Sequence, residues 1–196
     1  MTDYKQHDIE KSSFIGGWYM PEYVCDELKK IYYNNSSKIV KGGLGTDDHV
    51  NNDVKESNEF VIQPNEYELY LKNYMFHLSN ITNKYKQLFP YCDENIDDWS
   101  VHYHVKIQHY KPGGGFKKWH CENDGFGKNR LRHLVFMTYL DTIEYAGTKF
   151  YHQNVIAPCR KGLTLIWPAG WTHMHKGVIN NMNEKMIITG WFDFYD

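Results

Sequence analysis

The tetrapeptide Trp119-His120-Cys121-Glu122 puts a histidine and a carboxylate two positions apart. On an extended strand such residues point to the same side, so both can reach one metal ion. A third ligand has to come from a distant segment. The stretch Trp167-Pro168-Ala169-Gly170-Trp171-Thr172-His173-Met174-His175 offers two histidines for that place. Two histidines and one carboxylate on one face of a metal, with other positions open, suit non-haem Fe(II) and oxygen chemistry. A His-x-Glu pair alone is a weak signal, since such pairs occur by chance and are more often an exposed strand end. Its context, a Gly-rich turn before it and a His-rich segment after it, favours the ligand reading. Eight of the 11 histidines lie in the second half of the chain. A further charge stands out in Glu184-Lys185-Met186-Ile187-Ile188-Thr189-Gly190-Trp191. Lys185 is alone among apolar residues. If it faces inward it needs an anion; the alternative is a strand-edge lysine whose head reaches outward to water.

These residues need strands to hold them. From Trp99 onward the pattern has period two. Residues 101–110 alternate, with Val101, Tyr103, Val105 and Ile107 apolar and His104, Lys106, Gln108 and Tyr110 polar or amphipathic. Further strands are expected over 132–140, 147–152, 162–167, 173–178 and 184–194, separated by Gly-, Pro- and Asn-rich turns. On the last of these, Met186, Ile188 and Phe192 share one face and Lys185, Thr189 and Trp191 the other. Two helices precede this region, over 21–35 and 64–88, the second with an apolar stripe from Tyr67 through Tyr74 and Ile81 to Leu88. Residues 36–62 read as a long Gly/Asn/Asp/Ser-rich loop. Within it, Val40 through Asn58, with Gly42, Gly43 and Gly45, is expected to be a poorly ordered, Gly-hinged lid.

The chain has 196 residues, 41% of them hydrophobic and 16% aromatic, which is ample for a core and excludes a disordered chain. The length favours one domain over 1–196, with helices and loop in 1–98 and the catalytic core in 99–196. A net charge of −2 gives no bulk attraction to nucleic acid or to an anionic membrane, so neither is expected as a partner. Four scattered cysteines make no disulfide framework, and Met1 to Lys11 is too polar for a signal peptide. The expected location is the cytoplasm. The architecture expected is mainly β with flanking α: a double-stranded β-helix, or jelly roll, with the N-terminal helices on the outer face of one sheet.

The order His120-x-Glu122, then His175, then Lys185 ten residues on, resembles the 2-oxoglutarate/Fe(II) dioxygenases, and among them the prolyl 4-hydroxylase-like branch. The resemblance covers residues 99–196. Tyr110-Lys111-Pro112-Gly113 is similar to that branch's Tyr-x-Pro-Gly turn, and Tyr139-Leu140-Asp141 to its Tyr-Leu-Asn/Asp strand end. Ala146-Gly147-Thr148-Lys149-Phe150 is similar to its Gly-Gly-x-Thr-x-Phe element. The resemblance implies Fe(II) held by His120, Glu122 and His175, with His173 beside them. It implies 2-oxoglutarate as cosubstrate, its 5-carboxylate on Lys185 helped by Tyr139 and Thr189, and Tyr110 lining the same pocket. Ascorbate is an optional accessory. Trp191 would stand at the metal end, where substrate enters. The implied reaction hydroxylates a C–H bond, in first place of a prolyl residue in a peptide or protein, proline-rich sequences included, and releases succinate and CO₂. One departure stands out: the family carries Asp where this chain has Glu122. Two other readings share the same pattern: a non-oxidative cupin-like metal protein (an isomerase or small-ligand module), and a domain whose catalysis is lost at Glu122.

Overall fold

Alternating apolar residues form a ladder only when a partner strand covers each edge, and here the partners come from the whole chain. The computed structural model describes residues 3–44 and 49–196. In chain order the elements are β1 (Gly16–Tyr19), α1 (Glu22–Asn34), β2 (Val40–Lys41), β3 (Lys55–Glu56), β4 (Asn58–Ile62), α2 (Tyr67–Tyr70) and α3 (Lys72–Leu88). There follow β5 (Trp99–Ser100), β6 (Val105–Tyr110), β7 (Gly115–Phe116), β8 (Arg132–Tyr139), β9 (Ile143–Phe150), β10 (Val155–Cys159), β11 (Leu163–Pro168), β12 (His175–Gly177) and β13 (Lys185–Phe194).

Among the described residues the large sheet runs β1-β11-β8-β13-β6-β4-β2, with β5 paired to the end of β13. Every pairing is antiparallel. A smaller sheet, β10-β9-β12, faces it, and β3 pairs with β7. Between the two sheets lies a core of Val135, Met137, Tyr139, Leu165, Trp167 and Ile187 from one side and Ala146, Phe150, Ala157 and Cys159 from the other. On the opposite side of the large sheet, Ile107, Leu134, Phe136, Ile166 and Ile188 form a second core with Val24, Leu28, Tyr74, Leu78, Ile81 and Tyr85 of the helices. This is the jelly roll, mainly β with few helices.

Four segments differ from the sequence reading. Residues 36–62 are not one loop: β2, β3 and β4 lie there, and Phe60 and Ile62 are core residues. The short alternation Asn58–Ile62 was masked by the polar residues before it. Residues 101–104 are not strand, because the chain leaves the ladder and the Tyr103 carbonyl accepts from the Tyr67 hydroxyl. The strand expected over 147–152 begins earlier, at Ile143, and ends at Phe150, where Asn154 at φ 53° turns the chain into β10. β10 itself looked like a turn because it carries Pro158, which is tolerated at a register shift between Ala157 and Cys159. The remaining helix and long-strand expectations agree with the structure to within two residues, apart from 3₁₀ turns at Pro64–Glu66, ahead of α2, and Trp171–His173, ahead of β12, and a break at Leu71 between α2 and α3.

The turn after β6 follows from its residues. Gly113 at φ +83° takes the third place of a type II turn whose second place is Pro112. The bond Gly114 N–H to Lys111 C=O, 2.8 Å, closes it. The chain then enters β7 and reaches His120. Within the Val40–Asn58 segment, Gly42 and Gly43 are buried and Gly42 N–H donates to the Ser57 carbonyl at 2.9 Å. Gly45 lies outside the described residues. No described helix is long and apolar enough to cross a membrane.

Candidate metal centre and its pocket

His120 and His175 meet through their backbones. His120 N–H donates to the His175 carbonyl at 3.0 Å, and His175 N–H returns a bond at 2.8 Å. That bridge puts the two imidazoles on one side, with ring centroids 4.2 Å apart. Glu122 N–H donates to the Ala169 carbonyl at 3.0 Å, which ties the His-x-Glu segment to the end of β11. His120, Glu122 and His175 thereby present ligand atoms all within 4.8 Å of one another.

The histidine tautomers are set from behind. His120 Nδ1 is 3.0 Å from the Lys118 carbonyl and His175 Nδ1 is 2.9 Å from the His173 carbonyl. A carbonyl only accepts, so each Nδ1 carries the proton and each Nε2 lone pair faces inward. Glu122 Oε1 lies 3.5 Å from His120 Nε2 and 3.6 Å from His175 Nε2. Donors sharing an ion at ordinary bond lengths stand about 3 Å apart, so the set, with its ligand atoms within 4.8 Å of one another, takes a divalent cation once the side chains close on it. Phe116 stacks on His120 at 3.4 Å between centroids, and Trp167 meets His175 edge-on at 5.1 Å. Burial, then the neighbouring His175, lowers the pKa of His120, which keeps it in the ligating form. For Glu122, burial pushes upward, but the neighbouring His120 and His175 and the charge of Arg132 outweigh it. The carboxyl is held well below its usual range.

A cavity of about 230 Å³ opens from this cluster between the sheets. Lys185 lies at the start of β13, 6% exposed, so it points inward and not out to water. Its Nζ donates to the Ala146 carbonyl at 2.9 Å and lies 5.3 Å over the Tyr110 ring. Among the described residues no carboxylate is within ion-pair distance of it. Burial accordingly lowers its pKa. Tyr139 lines the same cavity and donates its hydroxyl to Thr148 Oγ1 at 2.7 Å. Tyr110 lines it too, fixed by a bond from its hydroxyl to Gln108. Thr189 faces the cavity, but four residues along β13 from Lys185, about 13 Å on an extended chain. Its hydroxyl donates to the Phe136 carbonyl at 2.9 Å. Thr148, not Thr189, is the hydroxyl beside Tyr139. His173 is turned away, bonded through Nε2 to the Ser13 carbonyl at 2.9 Å. Trp191 is at the metal end, its indole nitrogen 3.0 Å from Glu122 Oε2.

Several cavity residues escaped the sequence reading. Arg132 lies 3.3 Å from Glu122 Oε2, through Nη1, and nothing in its local sequence marks it. Lys55 and Lys106 flank the buried Glu59 at 2.5 Å and 3.4 Å, and Gln108 donates to the same carboxylate at 3.0 Å. Lys106 and Gln108 were legible as the polar face of an alternating strand. Lys55 and Glu59 were hidden in the segment read as loop. Lys55 also donates to the Gly43 carbonyl at 3.3 Å, which ties that segment to the cavity wall.

No family model and no curated protein sequence matches the chain. Solved structures do. A viral collagen prolyl hydroxylase from Paramecium Bursaria Chlorella virus-1, in its 2-oxoglutarate complex, is 18% identical, with TM-score 0.64 over 98% of this chain and 96% of that one. A Pseudomonas putida prolyl-4-hydroxylase is 12% identical, with TM-score 0.65 over 98% and 93%. A Trichoplax adhaerens prolyl hydroxylase, in complex with a hypoxia inducible factor peptide fragment, is 12% identical, with TM-score 0.69 over 93% and 84%. At these identities the likeness is one of architecture: over nearly its whole length, the chain has the fold of the prolyl hydroxylases.

Proposed function

We propose that this protein is a 2-oxoglutarate- and Fe(II)-dependent dioxygenase that hydroxylates a prolyl residue of a peptide or protein. One observation carries the reading. A buried lysine with no carboxylate partner among the described residues shares one cavity with a His/Glu/His donor set. A cation in that position calls for an anionic ligand, and a dicarboxylate that also reaches the metal satisfies both ends.

His120, Glu122 and His175 hold the metal, and Lys185 pairs with the 5-carboxylate of 2-oxoglutarate. The hydroxyls of Tyr139 and Thr148, 2.7 Å apart, donate to that carboxylate, Tyr139 turning its proton away from Thr148 to do so. The Tyr110 ring, Ile187 and Met137 exclude water from the carbon chain. When bound, Fe(II) supplies the oxidation: with O₂, 2-oxoglutarate gives succinate and CO₂, and one oxygen atom enters the C–H bond. Substrate enters past Trp191. A peptide in the bound state of one solved relative supports a peptide substrate here.

The test is succinate release by the purified protein with Fe(II), 2-oxoglutarate and a panel of proline-containing peptides. Mass spectrometry of the peptide should show one added oxygen on proline. Succinate release without peptide oxidation would keep the dioxygenase and discard the prolyl substrate. No dependence on Fe(II) or 2-oxoglutarate would discard both.

A further inference from the structure

Glu122 is held from two sides. Its Oε1 faces the two imidazoles. Its Oε2 accepts from the Trp191 indole N–H at 3.0 Å and from Arg132 Nη1 at 3.3 Å. The same Arg132 nitrogen donates to the Glu122 backbone carbonyl at 2.9 Å, so one guanidinium grips both main chain and side chain. That guanidinium lies 3.7 Å over the Trp191 ring, so the two donors brace each other. They come from adjacent strands: Arg132 opens β8, and Trp191 lies opposite Val135 on β13. Indole N–H and guanidinium donate and never accept. Two bonds fill the in-plane lone pairs of Oε2, and Oε1 is the oxygen left for a metal.

We propose that Arg132 and Trp191 are positioning residues, a clamp that holds Glu122 through Oε2 and presents Oε1 alone to the metal. The proposal rests on the metal reading above. A carboxylate bound through one oxygen takes one coordination position and leaves room for a chelating cosubstrate; one free to rotate can take two. The clamp also gives a reason for Glu at this position. Aspartate is shorter by one methylene, about 1.5 Å. From the same backbone it cannot meet both the imidazole nitrogens and the Trp191 indole.

The test uses Co(II), whose visible absorption reports its coordination, titrated into the full-length protein and followed by calorimetry. The variants are Trp191→Phe, Arg132→Lys, Glu122→Asp and the double variant Glu122→Asp/Trp191→Phe, with His120→Ala as reference. Trp191→Phe keeps a ring under the guanidinium and removes only the N–H. It should loosen Co(II) by roughly tenfold and alter the spectrum. Arg132→Lys keeps a charge but not the planar fork, should change the spectrum the same way, and carries the test if Trp191→Phe does not fold. Glu122→Asp should loosen Co(II) too, and adding Trp191→Phe to it should cost little more, because Asp has already left the clamp. Wild-type affinity and spectrum in both Trp191→Phe and Arg132→Lys would overturn the proposal, as would penalties that simply multiply. If instead His120→Ala binds Co(II) as tightly as the wild type, the metal reading itself falls and the clamp with it.

Discussion

The two faces of β8 and β13 carry different physics on the same strands. On the outer face Leu134, Phe136, Ile188 and Phe192 meet the helices, and the contacts are almost wholly apolar. One residue over, the inner face carries Lys185, Arg132 and Thr189 around the cavity and the metal cluster. A buried side chain on the outer face adds stability in proportion to its area. A buried charge on the inner face costs stability unless something pairs with it. The sheet thus separates a face that holds the fold together from a face kept polar for ligands.

Substitutions on the two faces should therefore separate stability from binding. The largest effect belongs to the outer face. Phe136→Ala should lower unfolding free energy by about 3–5 kcal/mol, read by denaturant titration. Its folded fraction should bind metal as the wild type does; a matching loss of metal affinity would break the partition. On the inner face, His120→Ala or His175→Ala should weaken Mn(II) or Co(II) binding by about a hundredfold or more, by calorimetry, with little change in the thermal midpoint of the metal-free protein.

Lys185 sharpens the contrast because its two effects have opposite signs. Lys185→Met should weaken 2-oxoglutarate binding roughly 30-fold, the scale expected for removing one partner of a desolvated charge pair. Without ligand, the same change should stabilise the protein by about 1–4 kcal/mol. The sign follows from burial lowering the pKa of Lys185. A depressed lysine opposes folding at neutral pH, where the unfolded chain is freely charged. A fall in the ligand-free midpoint would show that the inner face stabilises the fold after all.

The smallest effect concerns Asp193, which is 2% exposed, with Oδ2 lacking a hydrogen-bond partner among the described residues. Burial raises its pKa from 3.8 to about 6, with Arg132 and His102 pulling it back. A raised carboxyl favours the folded state at low pH, and that contribution is lost as pH rises through about 6. Asp193→Asn should therefore stabilise by about 1–2 kcal/mol above that pH, after allowing for solvent screening. The advantage should vanish below pH 3.8, where both states carry the proton. Denaturant midpoints across that range give the measurement.

Much of this was legible in advance where the signal is local. Alternation assigned Met186, Ile188 and Phe192 to one face and Lys185, Thr189 and Trp191 to the other, and the structure has them so. The α3 segment showed its buried stripe, with Tyr74, Leu78, Ile81 and Tyr85 in the core. What failed was either short or interrupted. β4 is five residues long inside a polar stretch, and β10 carries a proline. Thr189 was placed with Lys185 because they share a face, yet sharing a face says nothing about distance along the strand. Arg132 had no local mark at all.

Which side chains share a face follows from the order of residues alone, because the period of two is a property of the extended backbone and needs no partner. That order also supplied the donor types, His120, Glu122 and His175, and the solitary charge of Lys185. Which of these groups meet is set by the packing of distant strands. The bridge between His120 and His175 depends on how distant segments align. The approach of Arg132 and Trp191 to Glu122 depends on the register of β8 against β13, including a shift between Phe192 and Asp193. Register is set by the packing of both faces of the sheet at once, a sum over the whole core that no local stretch of sequence contains.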